Sequence, residues 1–427
     1  MSDYKKLISD FLKQSRSMGI VDYIVKGSLL LYTFLLFSAP LTIGKIPVPT
    51  PEQVIFLVLT YAVFVGKGVG FIRDLAPLVI LFFAYEAMRG VVVANEQRVI
   101  TEYWSSSQSM NGLEVNTTPR LMNIGDALSI SVRDYNAKVD YVDVLITKVG
   151  GGKATTEIMN LKLEGGTGSY FVTQKKSGEI FEQTGVYNIT ASAHSDAGIN
   201  GSSTVGITQN VHYKEPIEWE RAIFGTIPSA YLQERFYREG SVSLIDIISV
   251  LAYCVHFLIP FGFACLVWFE DRELYKKYSA TFLILTYASL ITFLLYPAAP
   301  PWLAGLTGYL DGVKKIYHET SKVLNLVLLP TLYYWINANE VAALPSLHAA
   351  FPLLIAIYSV KLWGRKGWLV FLYPLATAFS LVYLGEHYAV DVLLGFLYVF
   401  AAMALVDLIF KWEDRQIKPK RKVRGKR

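Results

Sequence analysis

Long apolar runs separated by short polar connections dominate the chain, and one long polar stretch interrupts them. A helix needs roughly 20 mostly apolar residues to cross a bilayer's hydrocarbon core. Eight runs approach that length: 24–42, 53–71, 74–94, 244–268, 279–297, 346–363, 367–385 and 390–410. Between 97 and 213 the period changes. Hydrophobic and polar residues alternate in "ALSISVRDY", "YVDVLITKV", "GSYFVTQ", "GVYNITASAH" and "STVGITQNVHY". Period-two alternation marks half-buried strands, and "GGGK", "GGTG" and "DAGINGS" between them mark turns. The pattern predicts a mainly α polytopic membrane protein of about eight transmembrane helices with an inserted all-β, immunoglobulin-like sandwich domain. Tyr187 stands where such domains carry a tyrosine corner. The chain divides into residues 1–95 with spans one to three, the insertion at 96–215, a second membrane unit at 216–412 with spans four to eight, and a basic tail at 413–427.

Charge orients this arrangement. Lys5, Lys6, Lys13 and Arg16 precede the first span, Lys67 and Arg73 lie at the second turn, and Arg272, Lys276 and Lys277 follow span four. Lys361, Arg365 and Lys366 lie between spans six and seven, and the tail is rich in Lys and Arg. With eight spans all five segments fall on one side, which the positive-inside rule assigns to the cytoplasm. Both termini are then cytoplasmic, and 43–52, 95–243, 298–345 and 386–389 face outward. The first run begins late, is long and lacks a small-residue cleavage site, so it reads as a retained span. Asn116, Asn188 and Asn200 each open an Asn-X-Ser/Thr triplet in the outward insertion, a placement that suits glycosylation and that chance in Asn/Thr-rich sequence also yields.

Composition agrees with a membrane setting: 53% of residues are hydrophobic and 14% aromatic. The net charge of +5 resides largely in the tail, which reads as a topology anchor and not a nucleic-acid surface. Cys254 and Cys265 are the two cysteines. On one helix they stand about 16 Å apart, too far for a disulfide.

The candidate chemistry lies at outward span ends. His348 stands in "PSLHAA" and His387 in "YLGEHYAVD", with Asp391 four residues on. On a helix that spacing puts imidazole and carboxylate on one face. A carboxylate behind an imidazole fixes its tautomer and stabilises its cation, which equips a histidine as nucleophile or base. A histidine and a carboxylate are also half of a metal site, but no third and fourth ligands accompany them, so no metal and no cofactor are expected. His256 reads as a mid-span residue bonded to a neighbouring helix. Glu386 and His318 read as solvated, and His194 and His212 as surface or structural.

"ALPSLHAA" and "GEHYAVD" resemble the second and third signature motifs of the type 2 phosphatidic acid phosphatase superfamily. "YPAAPPW" at 296–302 resembles the first motif of its inositol phosphorylceramide synthase-like branch, and "AIFGTIPSAYLQ" and "YEAMRG" resemble further segments. The resemblance covers about 74–94 and 220–410 and leaves out the insertion. It implies metal-independent phosphotransfer on a lipid phosphate, to a lipid or polyol hydroxyl or to water. His387 is then the nucleophile, Asp391 its support and His348 the general acid. Pro345 would start the helix, and amides near Ser346 would hold phosphate oxygens at its N-terminus. Tyr296, Pro300 and Trp302 would shape a headgroup pocket, or serve only as interfacial residues. Most members carry basic residues in the first motif and an Arg in the third. Here Ser380-Leu381 occupies the latter place, as in the synthase-like branch. Arg89 is the candidate phosphate-neutralising cation, with snorkelling to the interface as its other reading.

The leading expectation is therefore an inositolphosphotransferase-like membrane enzyme acting through a phosphohistidine. A lipid phosphate or polyprenyl diphosphate phosphatase is the nearest alternative. A non-enzymatic, membrane-anchored surface binding protein is the alternative from another class, with the insertion contacting glycan or protein. A transporter fits less well, because the polar residues gather at one face and not at mid-bilayer. The insertion is expected to cap the site or bind ligand.

Overall fold

A computed structural model describes residues 26–28, 30–31, 34, 46–48, 51–91, 99–100, 110–111, 113–134, 141–149, 163–164, 170–181, 183–193, 200–256, 259–324, 326–328 and 339–424. The predicted first span at 24–42 falls largely outside these residues. The described chain opens with β1 (Ile46–Val48), α1 (Pro51–Phe64) and α2 (Gly68–Val91).

The insertion follows as β2 (Met110–Asn111), β3 (Leu113–Thr118), β4 (Leu121–Asn123), β5 (Ala127–Asp134), β6 (Tyr141–Lys148), β7 (Leu163–Glu164), β8 (Tyr170–Lys176), β9 (Gly185–Ala193) and β10 (Asn200–Thr208). One sheet has the order β3-β5-β8 and the other β2-β10-β9-β6-β7, with β4 added in parallel to β10. Every other residue of β3 is buried, as alternation requires of a strand with one face inward. Val115, Ile130 and Val132 of the first sheet share a core with Val144, Ile146, Ile189 and Val205 of the second. Two sheets thus face one another across an apolar layer. The Tyr187 hydroxyl donates to the Gln183 carbonyl at 2.9 Å, the bond that a tyrosine corner makes.

The second unit runs α3 (Glu215–Phe224), α4 (Pro228–Phe236), α5 (Leu244–Val255), α6 (Ile259–Glu270), α7 (Arg272–Leu295), α8 (Pro301–Thr307), α9 (Ile316–Val323), β11 (Leu326–Leu328), α10 (Leu347–Trp363), α11 (Leu372–Tyr383) and α12 (Ala389–Arg424). Its helix starts are chemically marked. Ser243 and Asp246 form a reciprocal capping box on α5, and the Asp271 carboxylate accepts the Glu273 and Leu274 amides at the head of α7. Such caps satisfy amides that have no partner within the helix.

Among the described residues, four helical stretches are long and apolar enough to cross a membrane: Gly68–Tyr85, Arg272–Leu295, Leu347–Tyr383 and Ala389–Gln416. Counting α5 and α6 as one bent span makes five. Two predicted spans differ in form. The run at 53–71 is interrupted: α1 has 14 residues and ends at Phe64 before α2 begins. The run at 244–268 is two helices inclined at 53°, because Pro260 at the start of α6 cannot continue the hydrogen-bond ladder of α5. The stretch 347–383 reverses through a 3-10 segment, Gly364–Phe371. There a Cβ on Gly367 would lie 2.3 Å from the Ser359 carbonyl oxygen, so only glycine lets the return arm approach α10 this closely. α10 then packs on α7, α11 and α12, around a core holding Phe282, Leu285, Phe351, Leu354 and Tyr358. Cys254 and Cys265 are buried free thiols.

The insertion is packed onto the second unit. Leu121, Val186, Val211 and Tyr213 join Ala299, Trp302, Leu303 and Val341 in one apolar cluster. Tyr213 stacks on Tyr309 with ring centroids 4.8 Å apart, and the Tyr309 hydroxyl donates to Asp126 at 2.8 Å. Lys214 pairs with the same carboxylate at 2.9 Å. Burial beside Asp126 holds the Tyr309 hydroxyl well above the ordinary phenol range.

Candidate active site

Pro345 does not start α10, contrary to expectation. It precedes the cap: Ser346 is the N-cap residue, with its Oγ accepting the Ala349 amide at 3.3 Å, and the helix begins at Leu347. Ser346 is fully buried, and its own amide donates to the Asp391 carbonyl at 3.0 Å. That amide is therefore committed to the fold and is not offered to phosphate. His348 is the second residue of the helix.

His387 and Asp391 do not share a helix face as their spacing suggested. His387 lies in the turn between α11 and α12, and Asp391 sits in the first turn of α12. A carboxylate is favoured there by the positive end of the helix dipole. The turn still brings the pair together: Asp391 Oδ2 is 3.5 Å from His387 Nδ1 and accepts the Tyr388 amide at 2.8 Å. The shorter bond of Nδ1 is to the Ala343 carbonyl, at 2.9 Å.

That carbonyl decides the tautomer. A carbonyl oxygen only accepts, so Nδ1 carries the proton and Nε2 carries the lone pair. His387 Nε2 is 2.9 Å from His348 Nδ1, which must then donate. The nitrogen with the lone pair faces the second histidine, and a carboxylate stands behind the protonated one. This is the order of groups needed for a nucleophile, its support and an acid.

The His256 ring lies 4.0 Å from that of His348, centroid to centroid, and its Nδ1 is hydrogen-bonded to the Tyr253 carbonyl. Tyr253 stacks on His348 at 5.3 Å. His256 closes α5 at the break inside the bent α5–α6 pair, and it walls the site. Nothing in the local sequence announces this, because the break is made by the following Pro260. Glu220 was also missed. It is completely buried, and its Oε1 accepts the Val390 amide at 3.0 Å, which caps α12 beside Asp391. Burial, with the charge of Asp391 adding to it, raises the Glu220 carboxyl to about 7. Glu386 does not face water as expected. Its Oε1 is buried, and desolvation raises its carboxyl, opposed by Lys315 and His387.

The remaining expected residues separate. Tyr296 stacks on His212, centroids 3.5 Å apart, and on Trp219 at 5.7 Å. It ties the insertion to α7 and α3, and it is not among the residues that line the cavity beside Trp302. Pro300 is the buried N-cap of α8, a structural place. Trp302 lines a cavity, with the Lys315 ammonium 3.7 Å over its ring. Its amide donates to the Gly385 carbonyl at 2.9 Å, two residues before His387. The side chain of Arg89, in the last turn of α2, lies outside the described residues. Lys315, which sequence reading passed over, is the described cation that acts on Glu386 next to His387.

Residues 217–405 match the PAP2 superfamily. Phosphoinositol dihydroceramide synthase of Bacteroides thetaiotaomicron is 27% identical over 191 residues, 41% of this chain and 61% of that protein. Inositol phosphorylceramide synthase of Candida albicans is 24% identical over 200 residues, 43% of this chain and 42% of that protein. The chain thus spans under two thirds of either relative's length. Among solved structures, LpxE of Aquifex aeolicus matches 44% of this chain and 92% of its own at 15% identity, with a TM-score of 0.30. The superfamily match leaves out the insertion. Residues 217–405 of this chain are thus similar to the PAP2 superfamily, and the two relatives named are both synthases of inositol phosphorylceramide type.

Proposed function

We propose that this chain is an integral membrane phosphotransferase that moves a phosphate-linked headgroup from a lipid to a hydroxyl acceptor through a phosphohistidine on His387, with no resident metal. The observation that carries this reading is the 2.9 Å contact between His387 Nε2 and His348 Nδ1, together with the Nδ1 proton held by Ala343. At 2.9 Å no phosphorus fits between the rings, so the substrate phosphate replaces this bond. His387 Nε2 then attacks phosphorus and forms an N–P bond. The P–O bond to the lipid breaks, and His348 gives its proton to the leaving alkoxide. In the second half an acceptor hydroxyl gives its proton back to His348, its oxygen attacks phosphorus, and the N–P bond breaks. Asp391 at 3.5 Å offsets the positive charge that the substituted imidazole carries. Lys315, whose charge acts on Glu386 beside His387, would supply the cation that the first and third motifs lack.

The acceptor distinguishes a transferase from a hydrolase. The names of the two synthase relatives support an inositolphosphotransferase-like reaction, with a ceramide-type lipid hydroxyl as acceptor. The positions of the basic loops support an extracytoplasmic site at the membrane edge. The test is product analysis with purified protein, a panel of lipid phosphoesters and chelator present. A new phosphodiester without free phosphate, lost by about 10³-fold or more in His387→Ala, is the expected result. Free phosphate in its place would identify a hydrolase, and undiminished turnover in the variant would overturn the reading.

A further inference from the structure

A cavity of about 880 Å³ lies between the insertion and the second unit. Its volume is in the range of small-molecule sites. Thr117, Thr118 and Arg120 line it from the insertion, and Trp302, Asp311 and Lys315 from the loop around α8. Neither histidine lines it, yet it adjoins them: Trp302 holds the Gly385 carbonyl, and Lys315 acts on Glu386 beside His387.

The wall contributed by the insertion is rigid. The Arg120 amide donates to the Thr307 carbonyl at 2.8 Å, and the Arg120 carbonyl accepts the Gly206 amide at 2.9 Å. Its backbone therefore joins the second unit on one side and β10 on the other. Thr117 is buried against Ser203, oxygen to oxygen 3.4 Å. Gly308 takes a left-handed φ of 93°, and a Cβ there would stand 3.3 Å from Thr118. The two units approach so closely that the cavity exists only while the insertion is docked.

The lining chemistry selects its occupant. Three cations, four carboxylates, three threonine hydroxyls and one indole line it, so a polar occupant finds charged and hydroxyl partners on several sides. Hydroxyl groups on a ring are matched by carboxylates and threonines, and an anion by Arg120 and Lys315. We propose that this cavity receives a polyhydroxylated, phosphate-bearing headgroup, and that Arg120 of the insertion is a specificity residue for it. The inference rests on the phosphotransfer reading for its orientation: the phosphate end lies toward Lys315 and the histidines, and the ring toward Thr118 and Arg120.

The test is binding to the full chain in lipid nanodiscs, carried on the His387→Ala background so that no turnover interferes. The probes are free myo-inositol 1-phosphate, myo-inositol, inorganic phosphate, and phosphatidylinositol in the nanodisc. Arg120→Ala is expected to weaken the polyol-phosphate probe at least about tenfold, with Arg120→Lys recovering part of the loss. Thr118→Tyr fills the cavity from an exposed strand end and should block binding with the fold intact, which serves if Arg120→Ala unfolds. Preference for the lipid-borne probe would assign the cavity to the donor headgroup, and preference for the free one to a soluble polyol phosphate. Equal affinity in wild type, Arg120→Ala and Thr118→Tyr would overturn the proposal, as would inorganic phosphate binding as tightly as the polyol phosphate. Full turnover by His387→Ala, by contrast, would overturn the phosphotransfer reading and leave the binding result standing.

Discussion

His387 has two acceptors on one side and a histidine on the other, and that asymmetry governs its chemistry. The Ala343 carbonyl at 2.9 Å holds the Nδ1 proton and Asp391 at 3.5 Å supplies charge. Removing the charge should therefore leave the tautomer in place. Asp391→Asn is expected to lower kcat by about 10²–10⁴-fold while the bond to Ala343 preserves ring orientation. Single-turnover kinetics would separate this from a binding defect: the phosphorylation step should slow and substrate affinity should stay near wild type. A second expectation concerns His256, whose ring packs on His348. His256→Ala should shift the pH dependence of the proton-donating step, and His256→Phe should recover most of the kcat if the ring serves only to pack. At this scale the sequence made His348, His387 and Asp391 legible because they sit in short motifs. His256, Glu220 and Lys315 were not, because each reaches the site from a distant segment with no local pattern pointing to it.

At the scale of elements, the head of α12 carries the site. Glu220 from α3 caps it at Val390, and Gly395 lets it lie against Ser346 at the head of α10. A Cβ on Gly395 would stand 2.4 Å from the Ser346 carbonyl oxygen. Gly395→Ala should push the two helix heads apart, cost about 1–3 kcal/mol of stability and lower turnover more than affinity. Glu220 predicts a pH effect with a definite sign. Its carboxyl is raised in the folded chain to about 7 from 4.5. Below pH about 4.5 it is protonated in both states and burial costs nothing extra. As pH rises toward 7 the unfolded chain ionises first, so stability is lost across that window. Thermal unfolding in detergent should show the midpoint falling over this range in wild type and less so in Glu220→Gln. The hydrophobic pattern foretold most helices, but not the break after Val255, where a proline divides one apolar run into two helices.

At the scale of the molecule, the insertion and the second unit act as one packed body. Tyr309 is the centre of the joint: it stacks on Tyr213 and bonds Asp126. Tyr309 is partly buried, so Tyr309→Ala should cost less than the roughly 3–5 kcal/mol of a fully buried aromatic, and should loosen the insertion. Limited proteolysis should then cleave between the insertion and α3 while α7, α10 and α12 stay protected. The sequence revealed the insertion through its change from apolar runs to alternation, and its two sheets follow that reading. It could not reveal the docking, because the contacts join residues from 121 to 341 that share no periodicity.

The most direct measurement of the central claim is the capture of the covalent intermediate. Full-length protein would be mixed with a lipid phosphoester donor, quenched in alkali within the first turnover and mapped by peptide mass spectrometry. A base-stable, acid-labile adduct on His387, absent in His387→Ala and trapped in excess in His348→Ala with an activated donor, is the predicted result. An adduct on another residue, or turnover with no adduct at all, would contradict the account.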